Sequence, residues 1–217
     1  MYSLKNKRAL LLLLLFFLCF GALNKAAAQD EPEQEEPTAA AASNAEIARR
    51  LANPDPLERQ RAAEELARLT AVDQLQLVAG YRLQEKSSRV RLALDWAMYR
   101  MGRTGSLFNI VRELDSSRHE QAAGYLAQLD NPEPLYIFLE RVNEKTLARL
   151  LSVLARLGDA GTLERIKPYL DSYDEKVAHA AELATREIRG RLASQQPEAA
   201  TRPRKTGNTS EPASEPR

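Results

Sequence analysis

The feature that most constrains this chain is a set of apolar columns that repeat every 28 residues. Self-similarity at a fixed period of about 20–50 residues is typical of repeat architectures, in which each unit buries its apolar face against its neighbours. The columns are Met98/Leu126/Leu154, Met101/Leu129/Leu157, Leu107/Leu135/Leu163, Ile110/Phe138/Ile166 and Leu114/Val142/Leu170.

Each unit contains two helical patterns separated by a short break. In the clearest copy, Gly102 ends the first helix and Thr104-Gly105 separates it from the second. Residues three and four apart form one stripe per helix, namely Val90, Ala93, Leu94, Ala97, Met98 and Met101, then Leu107, Ile110, Val111 and Leu114. The sequence therefore predicts an all-α fold, an α-solenoid of antiparallel helix pairs with a period of about 28–32 residues over 43–192. Looser copies at both ends are typical of capping repeats.

Local signals set the expected boundaries of individual helices. Ser43 and Glu46 have the spacing of a capping box and predict the start of the first helix, which Asn53-Pro54 ends. Pro168 falls inside an apparent helix and predicts a kink or an early break there.

The segment from Val90 to Gly102, VRLALDWAMYRMG, resembles the first-helix signature of the HEAT-like repeat family. Residues 154–163, LARLGDAGTL, resemble the turn and the start of the second helix of the same repeat. The resemblance covers about two thirds of the chain. It implies stacked helix pairs whose second helices line a concave side, and HEAT arrays mostly act as binding surfaces.

The ends of the chain predict export. Residues 1–28 have a basic start, an apolar run and Ala26-Ala27-Ala28 before Gln29, which predicts a cleaved signal peptide. A retained anchor and a lipidated Cys19 are the alternatives, although Leu18 is unusual before a lipidated cysteine. Residues 29–42 predict an acidic disordered linker, and 193–217 a disordered tail. We expect a periplasmic or secreted bacterial protein without stable membrane insertion after cleavage.

The composition offers little material for chemistry. The 31 basic and 30 acidic residues balance, so no basic footprint favours nucleic acid. One cysteine and two histidines make a metal centre unexpected, and no catalytic or cofactor motif is present. The pair His119-Glu120 resembles one metal-binding unit of HEAT-type di-iron hydroxylases, which need several such pairs. We expect no metal, no cofactor and no enzymatic activity.

The prediction for function is therefore a protein-binding adaptor or scaffold of the cell envelope. Its binding residues would lie on the non-core columns of the second helices, where aromatic and arginine side chains are typical of binding hot spots. Two rivals stay open: an enzyme of the lyase or metal-dependent type, and a purely structural spacer. Phe108 and Tyr136 could instead pack between repeats. Trp96, whose column continues as Gly124 and Ser152, predicts interlocking of neighbouring repeats or an exposed anchor. The predicted partner-binding residues are Phe108, Asn109, Arg112, Tyr136, Arg165 and Tyr169.

Overall fold

A computed structural model describes residues 39–195 of the chain, without the side chain of Gln195. The predicted signal peptide, its cleavage site, most of the acidic linker and most of the C-terminal tail lie outside the described residues.

The described residues form ten α-helices and three short 3-10 helices, and 39–195 contain no β-strand. The prediction of an all-α fold is confirmed. The 3-10 helices are Arg50–Ala52, Val72–Gln74 and Lys167–Tyr169. The α-helices are α1 (Ala39–Arg49), α2 (Pro56–Leu69), α3 (Leu75–Gln84), α4 (Ser88–Arg100), α5 (Ser106–Glu113), α6 (His119–Leu126), α7 (Glu133–Tyr136), α8 (Glu144–Leu157), α9 (Ala160–Ile166) and α10 (Glu175–Gln195).

The helices follow one another in pairs, α2/α3, α4/α5, α6/α7 and α8/α9, with α1 before the first pair and α10 after the last. First helices of neighbouring pairs lie side by side, α2 against α4 and α6 against α8. The single helix α10 packs against α8 in the same way. A helical repeat therefore extends through the described part of the chain.

The 28-residue columns form the core of this repeat. Leu126, Leu154, Ile110 and Ile166 are fully buried, and Met98 is 4% exposed. Four members of the columns are only half-buried: Val142, Leu157, Leu163 and Leu170. The apolar pattern thus identifies the side chains that hold each helix pair to the next.

Polar caps and one left-handed glycine fix where helices begin and end. The carboxylate of Asp55 accepts a hydrogen bond from the Leu57 amide at 2.9 Å, and the Asn143 side chain accepts from the Thr146 amide at 2.9 Å. Asp159 and Thr162 form a reciprocal capping box at the start of α9. Gly102 follows α4 with φ 98°, a conformation that favours glycine, as the predicted helix stop requires.

Two predicted boundaries differ from the structure. Helix α1 already begins at Ala39, so Ser43 lies inside it and caps nothing, and the expected linker boundary after residue 42 falls within a helix. The reason is that Ala39–Ala42 is a run of the strongest helix former. Helix α10 likewise continues to Gln195, beyond the predicted end at residue 192.

The second helix of the third pair is also much shorter than its pattern predicts. Helix α7 has only four residues, and residues 137–141 continue as hydrogen-bonded turns. The predicted break near Pro168 is confirmed, because α9 ends at Ile166 and a 3-10 helix follows. No helix between residues 39 and 195 is long and apolar enough to cross a membrane.

Candidate protein-binding surface

Two adjoining depressions lie on the second helices, and we call them together the second-helix surface. The first has a volume of about 380 Å³ and is bordered by Phe108 and Ile137, whose exposed fractions are 58% and 54%. The Phe108 ring contacts the Phe138 ring beneath it, with centroids 6.4 Å apart and planes tilted by 39°. Leu107 and Pro134 complete an apolar floor, and Arg141 lies at the edge.

The second depression is polar and shares Ile137 and Arg141 with the first. It has a volume of about 480 Å³, and its other lining residues are Glu133, Tyr136, Glu140 and Arg165. An apolar centre thus lies beside a ring of charged side chains of both signs.

Tyr136 and Arg165 hold each other in place at this edge. The Tyr136 hydroxyl forms a 2.6 Å hydrogen bond with Oγ1 of Thr162, the buried capping residue of α9. The Arg165 guanidinium carbon lies 5.5 Å from the centroid of the Tyr136 ring, a cation–π distance. Burial raises the pKa of Tyr136. The phenol therefore stays neutral and serves as an anchored, amphipathic contact.

The structure brings together three of the six predicted binding residues, Phe108, Tyr136 and Arg165. Arg112 is exposed on α5, one turn after Phe108, and its side chain makes no hydrogen bond or ion pair within residues 39–195. Tyr169 is half-buried in the 3-10 helix after α9 and lines neither depression.

Asn109 has a partner inside the protein. Its side-chain amide donates to Oδ1 of Asp95 at 3.1 Å, and Arg82 pairs with Oδ2 of the same carboxylate at 2.9 Å. Asp95 is 3% exposed, so this network links α3, α4 and α5 below the surface. An unpaired buried carboxylate is costly, and the Asn109 amide is thus committed to stabilising the repeat.

The sequence reasoning missed Ile137, Glu140 and Arg141. The sequence did contain a signal for Ile137, which stands in one column with Asn109 and Arg165. An apolar residue in an otherwise polar, solvent-facing column indicates a candidate binding residue. Nothing comparable marked Glu140 or Arg141, whose position depends on the turns that replace the end of α7.

The first helices carry a third depression, built around Trp96. It measures about 720 Å³ and lies between α2, α4 and α6. Trp96 is only 3% exposed, and its ring stacks on Tyr125 of the next pair, with centroids 5.7 Å apart and planes 1° from parallel. The interlocking interpretation of Trp96 is therefore confirmed.

Tyr125 extends this interlock to α2. Its hydroxyl donates to Oε1 of Glu64 at 2.6 Å and accepts from the Gln121 amide at 2.8 Å. Burial, followed by the bond to Glu64, raises the pKa of Tyr125 far above its ordinary value. The neutral phenol therefore links α6 to α2 by a hydrogen bond, and both are first helices of their pairs.

A fourth depression, of about 520 Å³, lies between α6 and α8 and contains His119 and Glu120. The His119 Nδ1 atom lies 3.2 Å from the carbonyl oxygen of Ser116. Within the part of the chain that the structure describes, no three His, Cys, Asp or Glu side chains are grouped closely enough to hold a metal ion.

Comparison with known proteins gives a remote structural similarity. No family model matches the sequence, and no curated protein matches it. Among solved structures, the crystal structure of an engineered protein aligns with a TM-score of 0.35 and 19% identity, covering 67% of this chain and 79% of that chain. A TM-score below 0.5 supports no inference about function.

Proposed function

We propose that this protein is an exported HEAT-like repeat protein that binds a protein partner through the second-helix surface and acts as an adaptor in the bacterial cell envelope. The single observation that carries the proposal is the pair of large apolar side chains, Phe108 and Ile137, that remain more than half exposed on either side of an apolar depression.

The layout of the surface supports a protein partner. Binding interfaces combine an apolar, aromatic-rich centre with a polar rim, and a few aromatic and arginine side chains supply most of the binding free energy. Phe108, Ile137 and Phe138 form such a centre, while Tyr136 and Arg165 line the adjoining polar depression, where Tyr136 is hydrogen-bonded to Thr162 and contacts Arg165. Fixed side chains lose little conformational freedom on binding, which favours affinity.

The HEAT-like assignment and the export rest on the sequence. The signature in 90–102 and the predicted leader in 1–28 support them, and HEAT arrays mostly serve as binding surfaces. The rival interpretations differ in what they predict for the purified protein. HEAT-like repeats also occur in the enzymes that attach bilin pigments to phycobiliproteins, so an enzyme of the lyase or metal-dependent type predicts a bound pigment or metal. A spacer predicts no specific partner.

Site-specific photocrosslinking in the native host tests the proposal. A photoreactive amino acid at position 108 should yield one discrete crosslinked partner. Adding Ile137→Glu should abolish that product, because a charge would have to be buried at the centre of the interface. Circular dichroism melting should show that the variant remains folded, since Ile137 is 54% exposed.

Leu83 provides the matched control. It is 87% exposed on α3 and lines neither depression of the second-helix surface, so it tests whether any exposed apolar position captures the partner. A photoreactive residue at position 83 should give no discrete product. Equal labelling from both positions, or no product from position 108, would contradict the adaptor function, and stoichiometric metal or pigment would favour the enzyme.

A further inference from the structure

The repeat supplies an internal comparison between two neighbouring interfaces of first helices. Between α4 and α6, Trp96 stacks on Tyr125, and the Arg100 guanidinium carbon lies 5.7 Å from the Trp96 ring centroid. A shift of 28 residues carries this interface to the one between α6 and α8, where Gly124 replaces Trp96 and Val153 replaces Tyr125. The second interface therefore lacks both aromatic rings.

The missing rings leave open space. The depression of about 520 Å³ between α6 and α8 lies at the equivalent position and includes Gly124 and Val153 in its lining. A Cβ atom placed on Gly124 would have no neighbour within 4 Å, and Ser152 beside it is exposed. We call this depression the α6–α8 recess. Its floor is apolar, formed by Ala123, Gly124 and Val153.

The rim of the recess carries more positive than negative charge. Arg149 and Arg156 oppose one carboxylate, Glu120. Arg149 donates to the carbonyl oxygen of Leu114, which fixes its side chain, whereas Arg156 is exposed and makes no side-chain hydrogen bond or ion pair within residues 39–195. A guanidinium group can lie over an aromatic ring and can also bind a carboxylate through two parallel hydrogen bonds.

We propose that the α6–α8 recess binds an aromatic side chain from an acidic segment of a partner protein. The ring would occupy the place that Trp96 fills in the preceding interface, and Arg156 would contact the ring and a neighbouring carboxylate. Residues 29–38 and 196–217 contain no aromatic residue, so once the predicted signal peptide 1–28 has been removed the occupant comes from another chain. This site is separate from the second-helix surface and does not rest on the function proposed for it.

Amide NMR spectra of the chain, titrated with the blocked tripeptide acetyl-Glu-Trp-Glu-amide, test the proposal. Saturable shifts should concentrate at the amides of Gly124, Ser152 and Val153. Two further peptides separate ring from charge: Gln-Trp-Gln should bind more weakly, and Glu-Ala-Glu should give no saturable shift. In Arg156→Ala the Kd should rise about tenfold, because both the cation–π contact and the ion pair are lost.

Two substitutions of Gly124 test whether the ligand ring occupies the recess. Gly124→Trp should place an indole in the recess, raise the melting temperature and abolish saturable binding. Gly124→Ala should also stabilise the helix but leave the recess open, so its Kd should equal that of the wild type. Arg112→Ala, at an exposed arginine of α5 that does not line the recess, should not affect the Kd.

Three results would overturn the proposal: no saturable shift at the three amides, unchanged binding in Arg156→Ala, or equal binding of Glu-Trp-Glu and Glu-Ala-Glu. If Gly124→Trp fails to fold, Arg156→Ala and the peptide series still decide the question. Failure here together with specific crosslinking from position 108 would leave the adaptor function intact.

Discussion

The close approach of α10 to the end of α8 predicts that Gly158→Ala destabilises the protein. Gly158 follows α8 with φ −62°, so its backbone conformation is open to any residue and only space decides the outcome. An added Cβ would lie 2.6 Å from Cδ1 of Ile188, 2.6 Å from the carbonyl oxygen of Leu154 and 2.9 Å from Cγ2 of Thr162. All three distances are shorter than van der Waals contact, so α10 or the end of α8 must move.

The size of the destabilisation depends on whether these neighbouring atoms can move away from the added Cβ. Ile188 is fully buried, and the Leu154 carbonyl already accepts the Gly158 amide at 2.7 Å, so neither has free space. Overpacking of a filled site costs about 1–3 kcal/mol. For a chain of this size, each kcal/mol lowers the melting temperature by about 2–4 °C. We expect a loss of about 1–3 kcal/mol in urea unfolding, with an unchanged m-value.

Two further variants make this test specific. Gly190→Ala lies in α10 with nothing within 4 Å of the added Cβ, and it should stabilise the helix by about 0.5–1 kcal/mol. Ile188→Val removes the Cδ1 atom, so combined with Gly158→Ala it should show a favourable coupling of at least about 0.5 kcal/mol. A change of less than about 0.5 kcal/mol in Gly158→Ala alone would refute the described approach of α10 to α8.

Three other predictions concern the core, the acid stability and the export. Leu154 is fully buried, so Leu154→Ala should lower the free energy of unfolding by about 2–5 kcal/mol, and a loss below about 0.5 kcal/mol would place the repeat in a different register. Hydrogen bonds from Arg59 to the buried Glu85 carboxylate, at 2.7 and 2.9 Å, lower the pKa of Glu85 in the folded state. The stability from this pair is therefore present above the unfolded pKa of about 4.3 and is lost as the pH falls below it. Glu85→Gln should be less stable than the wild type at pH 7, and the difference should shrink in melts between pH 5 and pH 2. For export, the intact mass of the secreted protein should correspond to a chain that starts at Gln29, and a retained leader or a lipid on Cys19 would contradict this.

The buried half of the fold could be predicted because burial is periodic. The columns at a 28-residue spacing identified helices α4, α5, α6, α8 and α9 and part of the core that links them, although buried residues such as Leu147, Leu150 and Leu151 lie outside the columns. Boundaries were predictable where one residue decides them, as Gly102 does after α4. They were wrong where a weak signal competed with a stronger one, as the Ser43 capping box did with the alanine run that begins at Ala39.

The candidate site was less predictable, because exposure alone does not distinguish a binding residue from a structural one. Phe108 and Asn109 are neighbours on α5 and both lie outside the core columns. Phe108 is exposed, whereas the Asn109 amide donates to the buried Asp95, which lies on α4. The sequence could not show this, since the hydrogen bond depends on the angle at which α5 packs on α4.

The Trp96 column shows how a departure from a repeat can carry more information than the repeat itself. A large residue beside a glycine and a serine suggested interlocking, and Trp96 does fill its interface with Tyr125. The same substitution pattern also means that the next interface, between α6 and α8, has Gly124 and Val153 in place of the two stacked rings. Gly124 and Ser152 are too small to fill the place of an indole, and a Cβ atom on Gly124 would have no neighbour within 4 Å. A candidate binding site in a repeat protein can therefore be found in two ways. One is an exposed apolar residue, and the other is a column in which a small residue stands where a neighbouring repeat has a large one.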